Sequence, residues 1–540
     1  MRRRLHSLFS RRDFWKVTGV GSLLGSQILP GKPLQRRQAQ IIVDYGGPTS
    51  QLDEVVLFPF DDFSIPLRYR LQVGLVSATN AYMLNTRKVL GRGKPGTPDS
   101  YHIDFYGTVK RVGDELRMWY PASPGKGVGH RVCYAVSKDG INWEKPSLGL
   151  VEYAGNTRNN LVDFERKDVA SCWILYEPED SDPNRRFKMV YEVNPFNIRA
   201  AFSPDGLQWK DSPNNPILKH NAIEPGGLTR FNGCYYLNGQ GGNVGTKRAL
   251  VTYLSYDFDH WTDAVVVGLR RDVPPHRQAP GPHAGEQVHV GASLWNRGNV
   301  LLGVYGQWHG ESNDRSFVSM DLGLVVSNDA MHFREPIPDF QLVSAYESFV
   351  PDEAETMPPA PKLDQGQAFE NVEDQTLFWY GPWAGGFIWV ASWLRDRLGY
   401  FEMVKPRLSK PEQLALEDTH SSVWTEFLKM IPPLTDPHFI SCPLQVDGPD
   451  VRIFINAAGL SEESHITVEI LDQQFNSLPG YSGDNCIRVT KSGLRQPVTW
   501  HGKGSLEKLG RPFRIKVRWG GNRSEDAYVY ALYVSGQAHA

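Results

Sequence analysis

The sequence predicts an all-β protein, a five-bladed β-propeller followed by a C-terminal β-sandwich. Aromatic residues make up 11% of the chain, alongside 51 glycines and 38 prolines, a composition that favours short strands joined by turns. A strand, turn and aromatic motif recurs four times. After about residue 405 the pattern changes to apolar residues that alternate with period two, which indicates a second β domain.

The recurring motif is a strand, a Ser-x-Asp turn and then an aromatic side chain. Ser and Asp side chains hydrogen-bond turn backbone, and glycine in the first two copies supplies a positive φ. The aromatic residue is expected to fix the returning strand on its sheet. The copies recur at intervals of 52 to 72 residues, which is typical of propeller blades. They occupy residues 136–143, 202–209, 254–261 and 326–333.

Between the turns lie five aromatic-rich runs that read as middle strands, one for each predicted blade. A two-sheet sandwich of this length would not explain the recurrence. The runs occupy residues 106–120, 186–191, 233–237, 300–305 and 375–380.

The domain boundaries follow from these changes of pattern. The propeller with its N-terminal lead-in is predicted over residues 41–405, a polar linker over 406–432 and the sandwich over 433–540. Within the sandwich, period-two runs at 451–455, 466–471 and 513–519 predict strands.

Residues 1–40 are predicted to be a twin-arginine export signal and tail. Two arginines, a Phe and a Lys within residues 10–16 precede an uncharged run over 17–30. The alternative is a basic tail before a short buried helix. Beyond this segment no apolar run approaches the roughly 20 residues that span a bilayer, so we expect a protein exported to the periplasm or the medium, without a membrane partner.

Composition excludes some partners. With 58 basic and 60 acidic residues, the net charge of −2 creates no global field that would attract nucleic acid. The five cysteines lack CxxC spacing, which argues against a structural zinc site. Cys442 and Cys486 either pair after export or remain free thiols, and no cofactor is predicted.

Candidate catalytic residues lie where the innermost strands of a propeller would face the central funnel. Asp104 precedes the first aromatic strand, and Glu224 precedes a Pro-Gly-Gly break in the third blade. The second blade offers several carboxylates. These are Glu177, Glu179, Asp180 and Asp182.

Further polar and aromatic residues near the predicted strand starts are candidates for binding substrate. His102, Glu286, His289 and Glu370 are suited to sugar hydroxyls, and a histidine on the funnel axis to a metal or an anion; a structural calcium ion is compatible with such a funnel. Indole rings stack on sugar faces. The tryptophans at corresponding positions are Trp119, Trp308, Trp379 and Trp383.

The segment from Glu224 to Gly226 and the run Asn-Gly-Cys-Tyr-Tyr-Leu over 232–237 resemble the third blade of the propeller glycoside hydrolases of families 43 and 32. The resemblance implies that Glu224 is the general acid, Asp104 the base or nucleophile, and Asp182 the second-blade carboxylate. The chain departs from the family pattern at Phe105, where the pattern has proline.

A longer resemblance links the chain to a set of exported bacterial propeller proteins. It covers most of residues 55–405 and depends on segments 57–65, 106–120 and 133–162. This resemblance implies a fold rather than an activity.

The predicted function is hydrolysis of a glycosidic bond in an oligo- or polysaccharide by funnel carboxylates. One alternative is a non-catalytic carbohydrate-binding propeller. Another is a glycoside phosphorylase, for which Arg230, Lys247 and Arg248 would supply the positive charge that phosphate requires.

Overall fold

The all-β class is confirmed by a computed structural model. It describes residues 40–43, 50–78, 86–193, 197–219, 223–241, 247–271, 281–348, 360–404, 436–448 and 450–536. Across these ranges the only α-helix is the four-residue α1, Ala345–Ser348, and no helix there is long and apolar enough to cross a bilayer. Residues 1–39 of the predicted export signal and tail (1–40), and the whole predicted linker, lie outside the described ranges.

Five strands precede the region of the recurring motifs. They are β1 (Gln40–Val43), β2 (Ser50–Leu52), β3 (Glu54–Leu57), β4 (Leu67–Tyr69) and β5 (Leu71–Leu75).

The region of the recurring motifs forms consecutive antiparallel sheets, each built mainly from neighbouring strands. The first contains β7 (His102–Ile103), β8 (Thr108–Val112), β9 (Glu115–Ser123) and β10 (Arg131–Ser137). The second contains β11 (Val169–Tyr176), β12 (Phe187–Val193), β13 (Asn197–Ser203) and β14 (Lys210–Asp211). The third contains β15 (Ile223–Phe231), β16 (Cys234–Gly241), β17 (Ala249–Ser255) and β18 (Val266–Leu269).

The fourth and fifth groups complete this series. The fourth contains β19 (Gly285–Asn296), β20 (Leu301–Gly310), β21 (Val318–Ser327) and β22 (Gln341–Val343). The fifth contains β23 (Leu363–Val372), β24 (Gln375–Pro382), β25 (Phe387–Leu394) and the earlier strand β6 (Thr86–Gly91). β23 also pairs in parallel with β8, which joins the fifth group to the first. Each group corresponds to one predicted blade, and the blade number stays a prediction.

All five predicted middle runs are confirmed as strands, and the Ser-x-Asp turns have the predicted hydrogen bonds. In the first turn, Ser137 Oγ accepts from Gly140 N at 2.8 Å and Asp139 Oδ1 accepts from Asn142 N at 2.8 Å. Gly140 has a φ of 73°, as predicted, and the third and fourth turns reach positive φ with Phe258 and Ala330.

The C-terminal region contains the remaining strands, which pair with strands from near the N-terminus. β3 pairs with β33 (Tyr528–Ser535), β4 with β27 (His438–Ile440) and β5 with β26 (Gly399–Met403). Residues 54–75 were expected to belong to the propeller segment. The strands are β26 (Gly399–Met403), β27 (His438–Ile440), β28 (Leu444–Asp447), β29 (Arg452–Ala458), β30 (His465–Leu471), β31 (Gly493–Val498), β32 (Arg514–Gly520) and β33 (Tyr528–Ser535).

One apolar core joins the two larger C-terminal sheets. Ile453 and Ile455 of one sheet and Val468 and Val517 of the other belong to the same buried cluster. The burial of alternate residues along β32 explains the period-two pattern there, whereas β29 and β30 are buried along most of their length. All five cysteines are described and none forms a disulfide, so the alternative of free thiols applies to Cys442 and Cys486.

The inner strands β8, β11, β15, β19 and β23 pack against one another, and glycines on β15 let that strand approach β19 closely. A Cβ atom at Gly226 would lie 1.6 Å from the carbonyl oxygen of Val290, and one at Gly227 would lie 2.1 Å from that of Ala292. The Pro-Gly-Gly break in β15 therefore allows its backbone to contact β19 directly.

Amide and hydroxyl side chains hydrogen-bond across the same strands. Gln367 Oε1 on β23 accepts from Leu228 N on β15 at 2.6 Å. Thr108 Oγ1 on β8 donates to Cys172 O and accepts from Ile174 N, both at 3.0 Å. Gln365 Nε2 donates to His289 O at 3.2 Å. These groups satisfy backbone atoms that the closely packed strands would otherwise bury without partners.

Replacing Gly226 by alanine is expected to destabilise the fold, because backbone atoms cannot move away from the added methyl group as a flexible side chain can. We expect a loss of at least about 1–3 kcal/mol in the free energy of unfolding, measured by chemical denaturation. Gly504→Ala is the matched control, since no heavy atom lies within 4 Å of its added Cβ. Equal stability of the two variants would contradict this account of the strand contact.

Candidate functional site

A cavity of about 260 Å³ opens beside the starts of the inner strands. Residues from all five groups of strands contribute to it or lie directly beneath it. Its lining includes Asp104, Tyr106, His130, Ser171, Glu192, Glu224, His289, Arg315 and Trp383. Acidic, basic and aromatic groups therefore meet in one concave region, as ligand sites require.

Asp364, at the second position of β23, is the most deeply buried carboxyl group near the cavity. Its residue exposure is 2%, and its Oδ1 atom has no hydrogen-bond partner. Burial raises the pKa of Asp364 well above its usual range, and the negative charges of Asp104 and Glu224 raise it further. Tyr106 and Arg315 oppose this increase in pKa. Asp104, Glu224 and Asp364 thus form one electrostatically coupled group.

Glu224 lies at the second position of β15, immediately before the Pro-Gly-Gly break. Burial raises the pKa of Glu224, and the positive charges of Arg248 and Arg315 partly oppose that increase. Because the strand approaches its neighbour only beyond Pro225, the carboxyl group stays at the cavity wall. A partly buried carboxyl with a raised pKa is suited to donate a proton.

Asp104 follows β7 and lies between two imidazole rings. Its Oδ1 atom is 2.9 Å from His102 Nε2 and its Oδ2 atom is 3.7 Å from His130 Nδ1. The hydrogen bond to Asp104 raises the pKa of His102, whereas burial lowers the pKa of His130. Among the described residues, these three form the one group of histidine, cysteine or acidic side chains whose ligand atoms are close enough together to hold a metal ion.

His289 forms the floor of the cavity on the side of β19. Burial lowers its pKa to about 3, and the charges of Arg248 and Arg315 contribute, so the ring is neutral at physiological pH. Its ring stacks on Trp308 with centroids 5.8 Å apart and meets Trp383 edge-on at the same distance. Val290, the next residue, has a φ of 60°, a strained conformation for a β-branched residue.

Two arginines give the cavity positive charge opposite its carboxyl groups. The Arg248 guanidinium lies 4.0 Å from the Trp308 ring centroid, and that of Arg315 lies 4.1 Å from the Trp383 centroid. Arg248 Nη1 is buried without a hydrogen-bond partner. Stacking on indole rings holds both guanidinium groups while leaving their N–H donors available to a ligand.

Several predicted site residues lie elsewhere. Asp182 is exposed and caps a short 3-10 turn through a 2.9 Å bond from Asn184 N, so its position follows from turn chemistry. Glu286 instead contacts Arg271 at 2.7 Å and His309 at 2.8 Å. Glu370 lies near the other end of β23 from Asp364, 3.9 Å from Arg111 Nε.

Of the remaining second-blade carboxylates, Glu177 and Asp180 form local ion pairs and Glu179 is exposed. Glu177 lies 2.7 Å from Lys188 Nζ and 2.9 Å from Arg230 Nη1, and Asp180 also pairs with Lys188. Arg230 is thereby used outside the cavity. The second group of strands contributes Ser171 and Glu192 to the cavity lining instead.

Three of the candidate tryptophans are fully buried and cannot stack on a ligand in this conformation. Trp379 Nε1 donates to Gly140 O at 2.8 Å and Trp119 Nε1 donates to Gly206 O at 2.7 Å. Each therefore ties one sheet to the Ser-x-Asp turn of its neighbour. The Trp308 ring stacks on His289 and on the Arg248 guanidinium. Trp383 lines the cavity.

No protein-family model matches the chain, and no curated protein matches it. Solved structures with similar folds include a glycosyl hydrolase from Bacteroides ovatus, at 14% identity over 60% of this chain and 94% of its own, with a TM-score of 0.36. An α-L-arabinofuranosidase from Podospora anserina shares 10% identity over 56% of this chain and 94% of its own, with a TM-score of 0.35.

A third similar structure comes from work on the GH130 family of mannoside phosphorylases, which contains glycoside hydrolases that target β-1,2 mannosidic linkages in Candida mannan. It shares 15% identity over 64% of this chain and 97% of its own, with a TM-score of 0.37. These likenesses are too weak to carry an argument about activity, which rests on the site itself.

Replacing Asp364 by asparagine is expected to stabilise the protein increasingly as pH rises. A carboxyl whose pKa is higher in the folded state contributes stability below its unfolded pKa of about 3.9, and that contribution is lost as pH rises through the folded pKa. Asparagine cannot ionise, so its advantage should grow by up to about 1.4 kcal/mol per pH unit. Urea denaturation between pH 4.5 and 8 measures it.

Asp436→Asn is the control for this experiment, because Asp436 is exposed and its substitution should give a difference in stability that does not change with pH. A constant or falling difference for Asp364→Asn would contradict the burial of an ionisable carboxyl at this position.

Proposed function

We propose that this protein is a carbohydrate-active enzyme that hydrolyses a glycosidic bond in the cavity, with Glu224 as general acid and Asp104 as base or nucleophile. The observation that supports this proposal best is the raised pKa of Glu224 in a cavity that also contains Asp104. Glycoside hydrolysis requires one carboxylic acid that protonates the leaving oxygen and one carboxylate that attacks the sugar or activates water. The two groups come from different strands and face one cavity.

Asp364 has a supporting role in this proposal. Its charge and that of Asp104 are coupled through the interior, where like charges disfavour one another. A protonated Asp364 removes this repulsion. Tyr106 lies between these acidic groups, and burial together with the charges of Asp364, Asp104 and Glu224 raises its pKa well above the usual range, which keeps its hydroxyl neutral.

The cavity suits one sugar residue. Its volume of about 260 Å³ is near the lower limit of about 300 Å³ for small-molecule sites. Trp383 offers the aromatic surface on which a sugar ring packs, and Glu192 and His130 offer polar groups for hydroxyls. The predicted twin-arginine signal would place this activity outside the cytoplasm, where polysaccharides are available.

Glu224→Gln should reduce kcat/KM by a factor of about 10² or more on aryl and natural glycosides, because a proton donor is lost while the shape of the cavity is kept. Asp104→Asn should cause a comparable loss. Glu462→Gln, at an exposed position of the C-terminal region, controls for the loss of one carboxylate. Saccharide binding, measured by calorimetry, should persist in the Glu224 variant.

Two results would contradict this assignment. Full activity of Glu224→Gln would exclude Glu224 as the acid. Saccharide binding without turnover in the wild-type protein, across a panel of aryl glycosides and plant and algal polysaccharides, would favour the non-catalytic binding protein.

A phosphorylase is the second candidate, and Arg248 is the reason. A buried guanidinium N–H without a partner beside Glu224 is suited to hold an anion such as phosphate. Exposed Arg315, which lines the cavity and whose charge also acts on Glu224, would add a second positive group to such a site. Inorganic phosphate should then stimulate cleavage and appear in a sugar phosphate product, whereas a hydrolase releases free sugar at the same rate with or without phosphate.

Arg248→Gln should move the alkaline limb of the pH profile of kcat/KM to higher pH. The positive charge of Arg248 lowers the pKa of Glu224, so its removal should raise that pKa and keep the acid protonated over a wider range. The position of the limb separates this effect from a loss of binding, which changes only the height of the profile. Arg511→Gln, at an exposed distant position, should leave the limb in place.

A further inference from the structure

His102, Asp104 and His130 present three ligand atoms, all within 4.8 Å of one another, at the edge of the cavity. The Asp104 carboxylate faces His102 Nε2 with one oxygen at 2.9 Å and His130 Nδ1 with the other at 3.7 Å. The two imidazole rings stack with centroids 5.5 Å apart and planes inclined by 13°. All three residues are partly buried, so a ligand that they held would remain open to the cavity on one side.

We propose that His102, Asp104 and His130 bind a divalent transition-metal ion of the zinc class. Two imidazole nitrogens and one carboxylate oxygen are donors that such ions prefer, whereas Ca²⁺ and Mg²⁺ favour oxygen ligands throughout. A tetrahedral zinc ion with bonds of about 2.0–2.2 Å places its ligand atoms roughly 3.3–3.6 Å apart. The two nitrogen–oxygen distances of 2.9 and 3.7 Å bracket that spacing but involve different oxygens of Asp104, so the side chains must rotate to bring one oxygen and both nitrogens onto the ion.

The surrounding structure holds the ring of His102 and the backbone of Asp104 and His130. The His102 ring packs on Gly385, where a Cβ atom would lie 2.2 Å from the ring. Asp104 N donates to Pro121 O at 3.1 Å, and His130 O accepts from Val169 N at 3.0 Å. Because the backbone is already held, only side-chain rotation is needed to bring the ligand atoms onto an ion.

In the part of the chain that the structure describes, no other histidine and carboxylate pair has this arrangement. His260 with Asp257 and His332 with Asp329 are exposed pairs within the Ser-x-Asp turns, and neither has a second imidazole within ligand distance. His332 therefore provides a matched control for a single imidazole beside a single carboxylate.

Metal binding would act on the proposed hydrolysis, and this consequence rests on that proposed function. Asp104 cannot serve as a free base or nucleophile while it ligates a cation. Occupied protein should therefore be inactive, and removal of the ion should restore activity. The cation would make the site sensitive to the zinc available outside the cell.

The test is titration of the chelator-treated full chain with Zn²⁺ alone, followed by calorimetry. We expect one ion per chain, with affinity at least tenfold weaker in His130→Ala and in His102→Ala and unchanged in His332→Ala. Co²⁺ should give the visible absorption bands of a tetrahedral site, and excess Ca²⁺ should not displace it. Circular dichroism verifies that each variant is folded.

The proposal is overturned if Zn²⁺ fails to bind at micromolar concentration, or if both histidine variants bind it as the wild type does. Because calorimetry requires no turnover, its result does not depend on whether the protein hydrolyses glycosides. Zinc binding, together with no activity of the zinc-free protein on any substrate, would leave the metal site established and refute the hydrolase. Binding at this site with unchanged turnover would show that Asp104 is not the base or nucleophile.

Discussion

The site depends on the close approach of five inner strands, an arrangement that most side chains would prevent. Gly226 and Gly227 allow β15 to contact β19, and Gln365 and Gln367 on β23 satisfy backbone groups on the facing strands. This packing sets the distance between strands, and therefore the distance between side chains at their starts. The cavity opens where the glycines that allow the strands to touch give way to residues with larger side chains.

The same packing buries ionisable side chains of the site without full hydrogen bonding. Asp364 and His289 lie in contact with apolar and aromatic surroundings, and their facing atoms, 3.9 Å apart, lack hydrogen-bond partners. A protein selected only for stability would replace such groups, since buried polar atoms without partners cost roughly 1–3 kcal/mol each. Their concentration beside one cavity is typical of a functional site, where perturbed pKa values serve chemistry.

The fold class and the Ser-x-Asp turns were predictable from sequence because both depend on local pattern, namely strand periodicity and turn chemistry. Glu224 could be found because a Pro-Gly-Gly break marks its strand. Asp364 has no such marker in the sequence. Its place beside the cavity is seen only in the folded structure, where it lies near Tyr106, just before β8, and His289 on β19. For Asp182 the sequence pattern has a second explanation, because a carboxylate before proline also caps a turn, and that is where the structure places it. His130 and Arg315 likewise reach the cavity through tertiary packing that no local motif records.

The pairing of β3 with β33 determines when the protein can acquire its final structure. Val55 lies beside Val534, and β6 pairs with β25, which comes far later in the chain. Strands near the N-terminus therefore cannot pair until strands near the C-terminus have been synthesised. Contacts so distant in sequence form slowly. During synthesis the N-terminal strands would expose unpaired edges that invite aggregation. A chaperone that holds the nascent chain until its last hundred residues emerge would serve this topology better than folding blade by blade.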